Sequence, residues 1–381
     1  MSAPRQHAMT ADHVFDGTVV HRDMAVIING SRIVAIAPRR GLPHGITLHA
    51  LPGGAWLAPG FIDVQVNGGG DVLFNDSPTP EGISAIVAAH RKFGTTALLP
   101  TLISDTVETM QAALDAVDAR IDDEPGVLGI HLEGPFLSPE KAGVHDPRAF
   151  RAPTTQDRAM LVAPRKGVTL VTLAPEQVPP GFIAELVAAG VRASLGHSMA
   201  TYAQSRAAIS EGLTGFTHLF NAMRPLGSRE PGPIAAALNS SGIFFGMIVD
   251  GVHVDPAMLR LALRGIGRPM LVTDAMPPVG GIRSSFALGG VEVTCRDGQC
   301  TTKDGTLAGA VLDMAQAVHN AVRLLDVPLT DALRFASANP AEFLGLGHVL
   351  GKLAPGYRAD MVAFNPDTLE VLATWVAGVR A

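Results

Sequence analysis

Cysteine is nearly absent from this chain of 381 residues, with Cys295 and Cys300 the only two. That excludes a fold stapled by several disulfides and points to a reducing compartment such as the cytoplasm. Basic runs are missing as well. Lys and Arg total 29 against 35 Asp and Glu, for a net charge of −6. No cluster of them gives the electrostatic footprint of a nucleic-acid-binding surface. The N-terminal stretch lacks the apolar core of a secretory signal. The uncharged run that most resembles a membrane span, residues 231–249, is interrupted by prolines, glycines, Asn239 and two serines, so it reads as a barrel segment rather than a membrane helix. What the chain does have is apolar residues, at 47%, together with 41 glycines and 28 prolines. A chain this apolar is not disordered. Its glycines and prolines therefore imply many sharp turns between buried elements, and its length suggests one large domain with a small one, or two.

Both ends of the chain read as short β-segments. Examples are residues 14–20, 24–30, 32–37 and 46–50 at the start, and 358–366 and 369–378 at the end. Similar terminal segments flanking a different middle suggest one small β-sandwich domain, residues 1–58 plus 348–381. In the middle, residues 59–347, apolar strand-like runs alternate with helical patterns, the mark of βα units around a parallel sheet. The runs begin at Phe61, Thr95, Val127, Val168, Arg192, Gly215, Gly242 and Met270. Val107, Met110, Leu114, Val117 and Ile121 share one helical face in one of the intervening stretches. Eight such strands are the number for a closed (β/α)8 TIM-type barrel, with an open doubly wound α/β sheet as the alternative. Residues 282–303 read as an inserted hairpin turning at Asp297-Gly298, with Cys295 and Cys300 packed in its strands as small hydrophobes.

In a parallel barrel, reactive groups sit at the C-terminal strand ends. The polar residues there are Gln65, Asn67, Thr101, Glu133, His197, His218, Asp250 with His253, and Asp274. Glu133, His197 and His218 supply the carboxylate and imidazoles that zinc-like ions bind, with a position left for water. Asp274, ending the eighth run, is suited to take a proton from that water. His131 faces the same way as Glu133, and a packing role suits it better. His90, His319 and His348 fall on helix-like or loop segments.

The segments PGFIDVQVNGGG (59–70), HLEGPF (131–136), KAGVHDP (141–147), GHS (196–198), THLFNAM (217–223), SREPG (228–232), DGVH (250–253), LVTDA (271–275) and TLAGA (306–310) are similar to the amidohydrolase superfamily. More closely, they resemble its N-acetylglucosamine-6-phosphate deacetylase family, in order over residues 55–350. The resemblance implies hydrolysis of the N-acetyl group of N-acetyl-D-glucosamine 6-phosphate to D-glucosamine 6-phosphate and acetate by a cytoplasmic homodimer. It implies one divalent ion per chain, zinc or else iron or cobalt, on Glu133, His197 and His218. Gln65 and Asn67 stand where many members have a pair of histidines, so the second metal site is vestigial. Asp274 maps onto the general acid–base and His253 onto a residue that helps polarise the amide carbonyl. Arg229 and the backbone of Asn221 and Ala222 map onto the phosphate site, and the arginine in this family can come from the neighbouring subunit. Val144, His145, Leu307, Ala308 and Gly309 map onto sugar contacts. Other readings are a related amidohydrolase acting on N-acetylgalactosamine 6-phosphate or an N-acyl amino acid, and a metal-free barrel kept as a binding module.

Overall fold

The computed structural model describes residues 6–381. Its central sheet has eight parallel strands: β1 (Phe61–Val66), β2 (Thr95–Ile103), β3 (Gly129–Glu133), β4 (Val168–Leu173), β5 (Arg192–Leu195), β6 (Gly215–Phe216), β7 (Phe244–Met247) and β8 (Arg268–Leu271). Neighbours in the chain are neighbours in the sheet. Just past the strand ends Val66 pairs in parallel with Ala275. There the Asp274 N–H donates to the Gln65 carbonyl and the Asn67 N–H to the Ala275 carbonyl. These bonds join the last strand to the first, so the sheet is a barrel and not an open doubly wound one.

Every residue of β1, β2, β3 and β7 is buried. That explains the unbroken apolar runs, because a barrel strand is covered on both faces. A helix follows each strand, as Val107–Arg120 follows β2. That helix starts where Thr106 Oγ1 accepts from the Thr109 N–H, and it buries Met110, Leu114 and Val117. The barrel interior is partly polar. Hydroxyls and one imidazole form a chain, with His131 Nε2 at 2.7 Å from Thr172 Oγ1, Thr172 at 2.7 Å from Thr217, and Thr217 at 2.7 Å from Ser194. Burial pulls the His131 pKa down to about 4, so it sits there as a neutral hydrogen-bonding group.

The terminal segments form a second eight-stranded sheet. The two ends of the chain meet where Trp56–Pro59 pairs antiparallel with Met361–Phe364. Met9, Val14, Val26, Ile28 and Leu57 pack there with Met361, Ala363 and Trp375. The chain divides into two compact units, one made of residues up to Asp63, His90–Ala97 and Asp313–Ala381, the other of Val64–Ala89 and Leu98–Leu312. The helices Met314–Leu325, Leu329–Ala336 and Ala338–Phe343 thus group with the terminal sheet, although the sequence places residues up to 347 with the barrel. Periodicity shows that a helix has an apolar face but not which layer receives it.

Two further expectations are corrected. The insertion is a four-stranded antiparallel sheet, Ser285–Leu288, Val291–Arg296, Gln299–Thr302 and Leu307–Ala310, rather than a lone hairpin. Cys295 and Cys300 are buried as expected but are joined in a disulfide, not left as separate thiols. The two-residue turn at Asp297-Gly298 sets them directly opposite each other across the hairpin, which brings their side chains within bonding reach. Among the described residues no helix is long and apolar enough to cross a membrane.

Candidate metal centre

Three side chains converge just above β3, β5 and β6. Glu133 is the last residue of β3, while His197 and His218 lie two residues beyond β5 and β6. Both histidines, and Asp274 beyond β8, have positive φ values of 47°, 30° and 51°. Non-glycine residues adopt that region at a cost, and here the turn swings each side chain over the mouth of the barrel. Gly134 answers the same crowding: at φ 92° a Cβ there would lie 2.1 Å from Ser104 Oγ.

The donor atoms of Glu133, His197 and His218 lie within 4.8 Å of one another, and all three residues are buried. Glu133 Oε1 is 3.1 Å from His197 Nε2 and 2.9 Å from His218 Nε2, and the two nitrogens are 3.1 Å apart. His197 Nδ1 donates to the Lys141 carbonyl at 2.7 Å. That bond orients the ring with Nε2 toward Glu133 and His218, the arrangement by which an outer partner prepares an imidazole ligand. A carboxylate oxygen and two imidazole nitrogens gathered at one point suit a divalent cation. Electrostatics agree. Burial opposes ionisation of Glu133, but hydrogen bonds from His197 and His218 hold its carboxyl well below the usual range. His218 is likewise opposed by burial, yet its bond to Glu133 and that group's charge lift its pKa above the ordinary value. The site attracts positive charge.

Asp274 is raised, first by burial and then by the nearby charge of Glu133. Its Oδ1 accepts from Asn67 Nδ2 at 2.6 Å and from Gln65 Nε2 at 3.2 Å. Gln65 Nε2 also lies 3.2 Å from Glu133 Oε2. Gln65 and Asn67 thus turn amide donors, not lone pairs, toward the two carboxylates. The amides hold Asp274 by one oxygen and leave Oδ2 for chemistry.

These groups open into a cavity of about 450 Å3 lined by Asn67, Glu133, Val144, His145, His197, His218, Asn221, Ala222, His253, Asp274, Leu307 and Gly309, among others. Ala308 is fully buried instead, against the disulfide-bearing sheet. Gly309 is required, since at φ 62° a Cβ would lie 2.8 Å from the Asp274 carbonyl oxygen. Arg229 is exposed and does not line the cavity. Of the two backbone donors expected to face an anion, the Asn221 N–H already bonds the His218 carbonyl at 2.9 Å. The Ala222 N–H has no acceptor among the described hydrogen bonds.

Two residues orient imidazoles of the cavity, Asp250 and Ser104. Asp250 Oδ2 lies 2.6 Å from His253 Nδ1, and Oδ1 accepts the Val252 and His253 N–H groups at 2.8 and 2.9 Å. Burial opposes the Asp250 charge, but the bond and charge of His253 together with the two backbone N–H groups outweigh it and lower the carboxyl pKa. His253 is thereby held with Nδ1 as donor and its other nitrogen available to the cavity. Ser104 plays the mirror role for His145, offering its N–H at 3.3 Å and its hydroxyl at 2.9 Å to Nδ1. Burial and then the His197 charge lower the His145 pKa to about 3, so His145 is a neutral ring with its proton on Nε2. Asp250 appears among the polar strand-end residues; Ser104 carries no signal of its own beyond following Ile103.

The amidohydrolase family model matches residues 56–380. N-acetylgalactosamine-6-phosphate deacetylase of Shewanella sp. (strain ANA-3) is 46% identical over 325 residues, 84% of this chain and 82% of that protein. Among solved structures, N-acetylglucosamine-6-phosphate deacetylase from Pasteurella multocida superposes with a TM-score of 0.95 at 36% identity, covering 99% of both chains. A mutant of the Mycobacterium smegmatis enzyme in complex with N-acetyl-D-glucosamine-6-phosphate superposes with a TM-score of 0.89 at 36% identity, covering 99% of both chains.

Proposed function

The chain belongs to the amidohydrolase family, and from that premise we propose that it hydrolyses the N-acetyl group of N-acetyl-D-glucosamine 6-phosphate, releasing acetate and D-glucosamine 6-phosphate. The observation that carries this reading is the buried convergence of Glu133, His197 and His218 with Asp274 in one cavity. Relatives named for this activity are similar over nearly the whole chain.

Glu133, His197 and His218 would hold one divalent ion, zinc first and iron or cobalt otherwise. Such an ion supplies Lewis acidity, which polarises an amide carbonyl and acidifies water. One ion per chain is favoured because the amides of Gln65 and Asn67 occupy the second position as donors to carboxylates. Asp274 Oδ2 receives the proton of the attacking water and returns it to the departing amine, the two proton steps that cleavage of a poor leaving group needs. Burial suits it to both, by raising its affinity for the proton between them. His253, oriented by Asp250, stabilises charge on the carbonyl oxygen. His145, with its proton on Nε2, donates to the sugar.

The phosphate is met by the Ala222 N–H and by Arg229. Because Arg229 is exposed and does not line its own cavity, it serves a neighbouring subunit, and the active form is a homodimer. A phosphorylated sugar as substrate supports a cytoplasmic location. N-acetylgalactosamine 6-phosphate is the second reading, favoured by the Shewanella relative. Acetate release is measured from both phosphorylated epimers and from unphosphorylated N-acetylglucosamine. The proposal expects the highest kcat/KM on N-acetylglucosamine 6-phosphate; a higher value on the galactosamine epimer selects the second reading, and equal rates with and without phosphate overturn the anion site.

A further inference from the structure

Glu176 and Arg224 lie outside the donor set, yet they grip the same residue from opposite sides. The Met199 N–H donates to Glu176 Oε1 at 2.5 Å, and the neighbouring Ser198 hydroxyl donates to Oε2 at 2.7 Å. The Met199 carbonyl accepts from Arg224 Nε at 2.9 Å and Nη2 at 2.7 Å. Bonds with a charged partner are about twice as strong as neutral ones. Met199 is therefore fixed by a carboxylate on its amide side and a guanidinium on its carbonyl side.

Three loops meet at this clamp. Glu176 follows β4, Met199 follows β5 by way of His197, and Arg224 follows β6 by way of His218. The backbone repeats the connection. The Ser198 N–H donates to the Ala222 carbonyl at 3.0 Å and the Arg224 N–H to the Ser198 carbonyl at 2.8 Å. The turn between has φ of 80° at Phe220 and 48° at Ala222, so it needs outside support to persist. On its far side Glu230 Oε1 accepts the Tyr202 and Gly232 N–H groups at 2.7 and 3.0 Å. Arg224 and Glu230 thus pin the two ends of the exposed stretch from Pro225 to Arg229.

We propose that Arg224 is a positioning residue for anion recognition. Its grip on the Met199 carbonyl holds the Asn221–Ala222 turn, and the unpaired Ala222 N–H, in register with His197. The same grip anchors the loop that presents Arg229. The assignment rests on the proposed role of that turn in meeting the 6-phosphate. Arg224 touches neither the metal donors nor the reacting amide, so its loss acts on phosphate recognition and not on the chemical step.

The test compares Arg224→Ala with the unsubstituted enzyme on N-acetylglucosamine 6-phosphate and on N-acetylglucosamine, with metal content measured for both. For Arg224→Ala the expected result is KM on the phosphorylated sugar raised about tenfold. Its kcat stays within about threefold, metal content is unchanged, and kcat/KM on the unphosphorylated sugar is unaltered. Amide hydrogen exchange at residues 198–200 and 221–224 accelerates together. Arg224→Lys, which keeps the charge and a donor, restores most of the loss, and Arg224→Met, which keeps the stem without the donors, replaces the alanine variant where that one does not fold. A phosphorylated-to-unphosphorylated preference unchanged in Arg224→Ala overturns the assignment, as does an equal loss of kcat on both sugars. Absence of any such preference in the unsubstituted enzyme overturns the phosphate reading first, and the assignment with it.

Discussion

The two ends of the cavity are built differently. At the metal end, Glu133, His197 and His218 are fixed within one chain, buried and mutually hydrogen-bonded, and Asp274 is held beside them through the amides of Gln65 and Asn67. At the end proposed to meet the phosphate, the Ala222 N–H has no acceptor among the described hydrogen bonds and Arg229 is exposed on its loop. The difference follows from where each end sits. The metal end stands on or just past barrel strands, whose backbone is locked in the sheet, so groups can be held at the small tolerances that catalysis demands. The anion end stands on turns, which tolerate variation and can be completed by a second subunit. On the proposed function, reaction type rests on the strands and substrate choice on the loops.

The largest expected effect is at the metal end. Asp274→Asn keeps the shape and the amide contacts but removes the proton acceptor. Turnover should fall by about 10^3- to 10^4-fold with bound metal retained; a change of less than about tenfold would remove Asp274 from the proton steps. The pH profile carries the sign of the same claim. Burial, and then the charge of Glu133, raise Asp274, so the active carboxylate is present above that raised pKa and activity is lost as pH falls through it. The acid limb of kcat/KM should lie above the ordinary carboxylate range, and its appearance at or below that range would contradict the account.

Asp250→Asn comes next, with an expected loss of about 10- to 100-fold in kcat/KM, because the partner that fixes the His253 tautomer is weakened. The same loss from Asp250→Ala and no loss from Asp250→Asn would show a steric role instead.

Arg229→Ala breaks the other end. A lost charge-assisted contact of about 1.5–3 kcal/mol should raise KM for the phosphorylated sugar roughly 10- to 100-fold and leave the unphosphorylated sugar alone. Mixing Arg229→Ala with Asp274→Asn sharpens the comparison. If Arg229 acts across a dimer, the mixture regains sites that have both groups, and activity exceeds the sum of the two separate variants. Strict additivity after subunit exchange would place Arg229 in its own cavity.

The same contrast explains what the sequence revealed. Strand-end residues were legible because a barrel has few ways to place them: apolar runs ending in Glu133, His197, His218 and Asp274 converge once the strands are counted. The left-handed turns at His197, His218 and Asp274 could not be read, because nothing in a non-glycine residue announces positive φ. Nor could the direction of Arg229, since a loop residue's neighbours are decided by tertiary packing. The cysteine spacing fitted the hairpin turn, but low cysteine content argued for free thiols, and only the strand register shows the pair face to face. Ser104, Glu176 and Arg224 were invisible for a related reason. They act by orienting other residues, Ser104 the His145 ring and Glu176 and Arg224 the Met199 backbone, and such partners leave no spacing pattern.

The most direct test of the central claim, a one-ion hydrolytic centre on Glu133, His197 and His218, is a titration of the metal-free chain with zinc while acetate release from N-acetylglucosamine 6-phosphate is followed. The account predicts activity that rises with added zinc and levels off at about one ion per chain. Activity that needs two ions per chain, or a tightly bound single ion that supports no acetate release from either phosphorylated epimer, would contradict it.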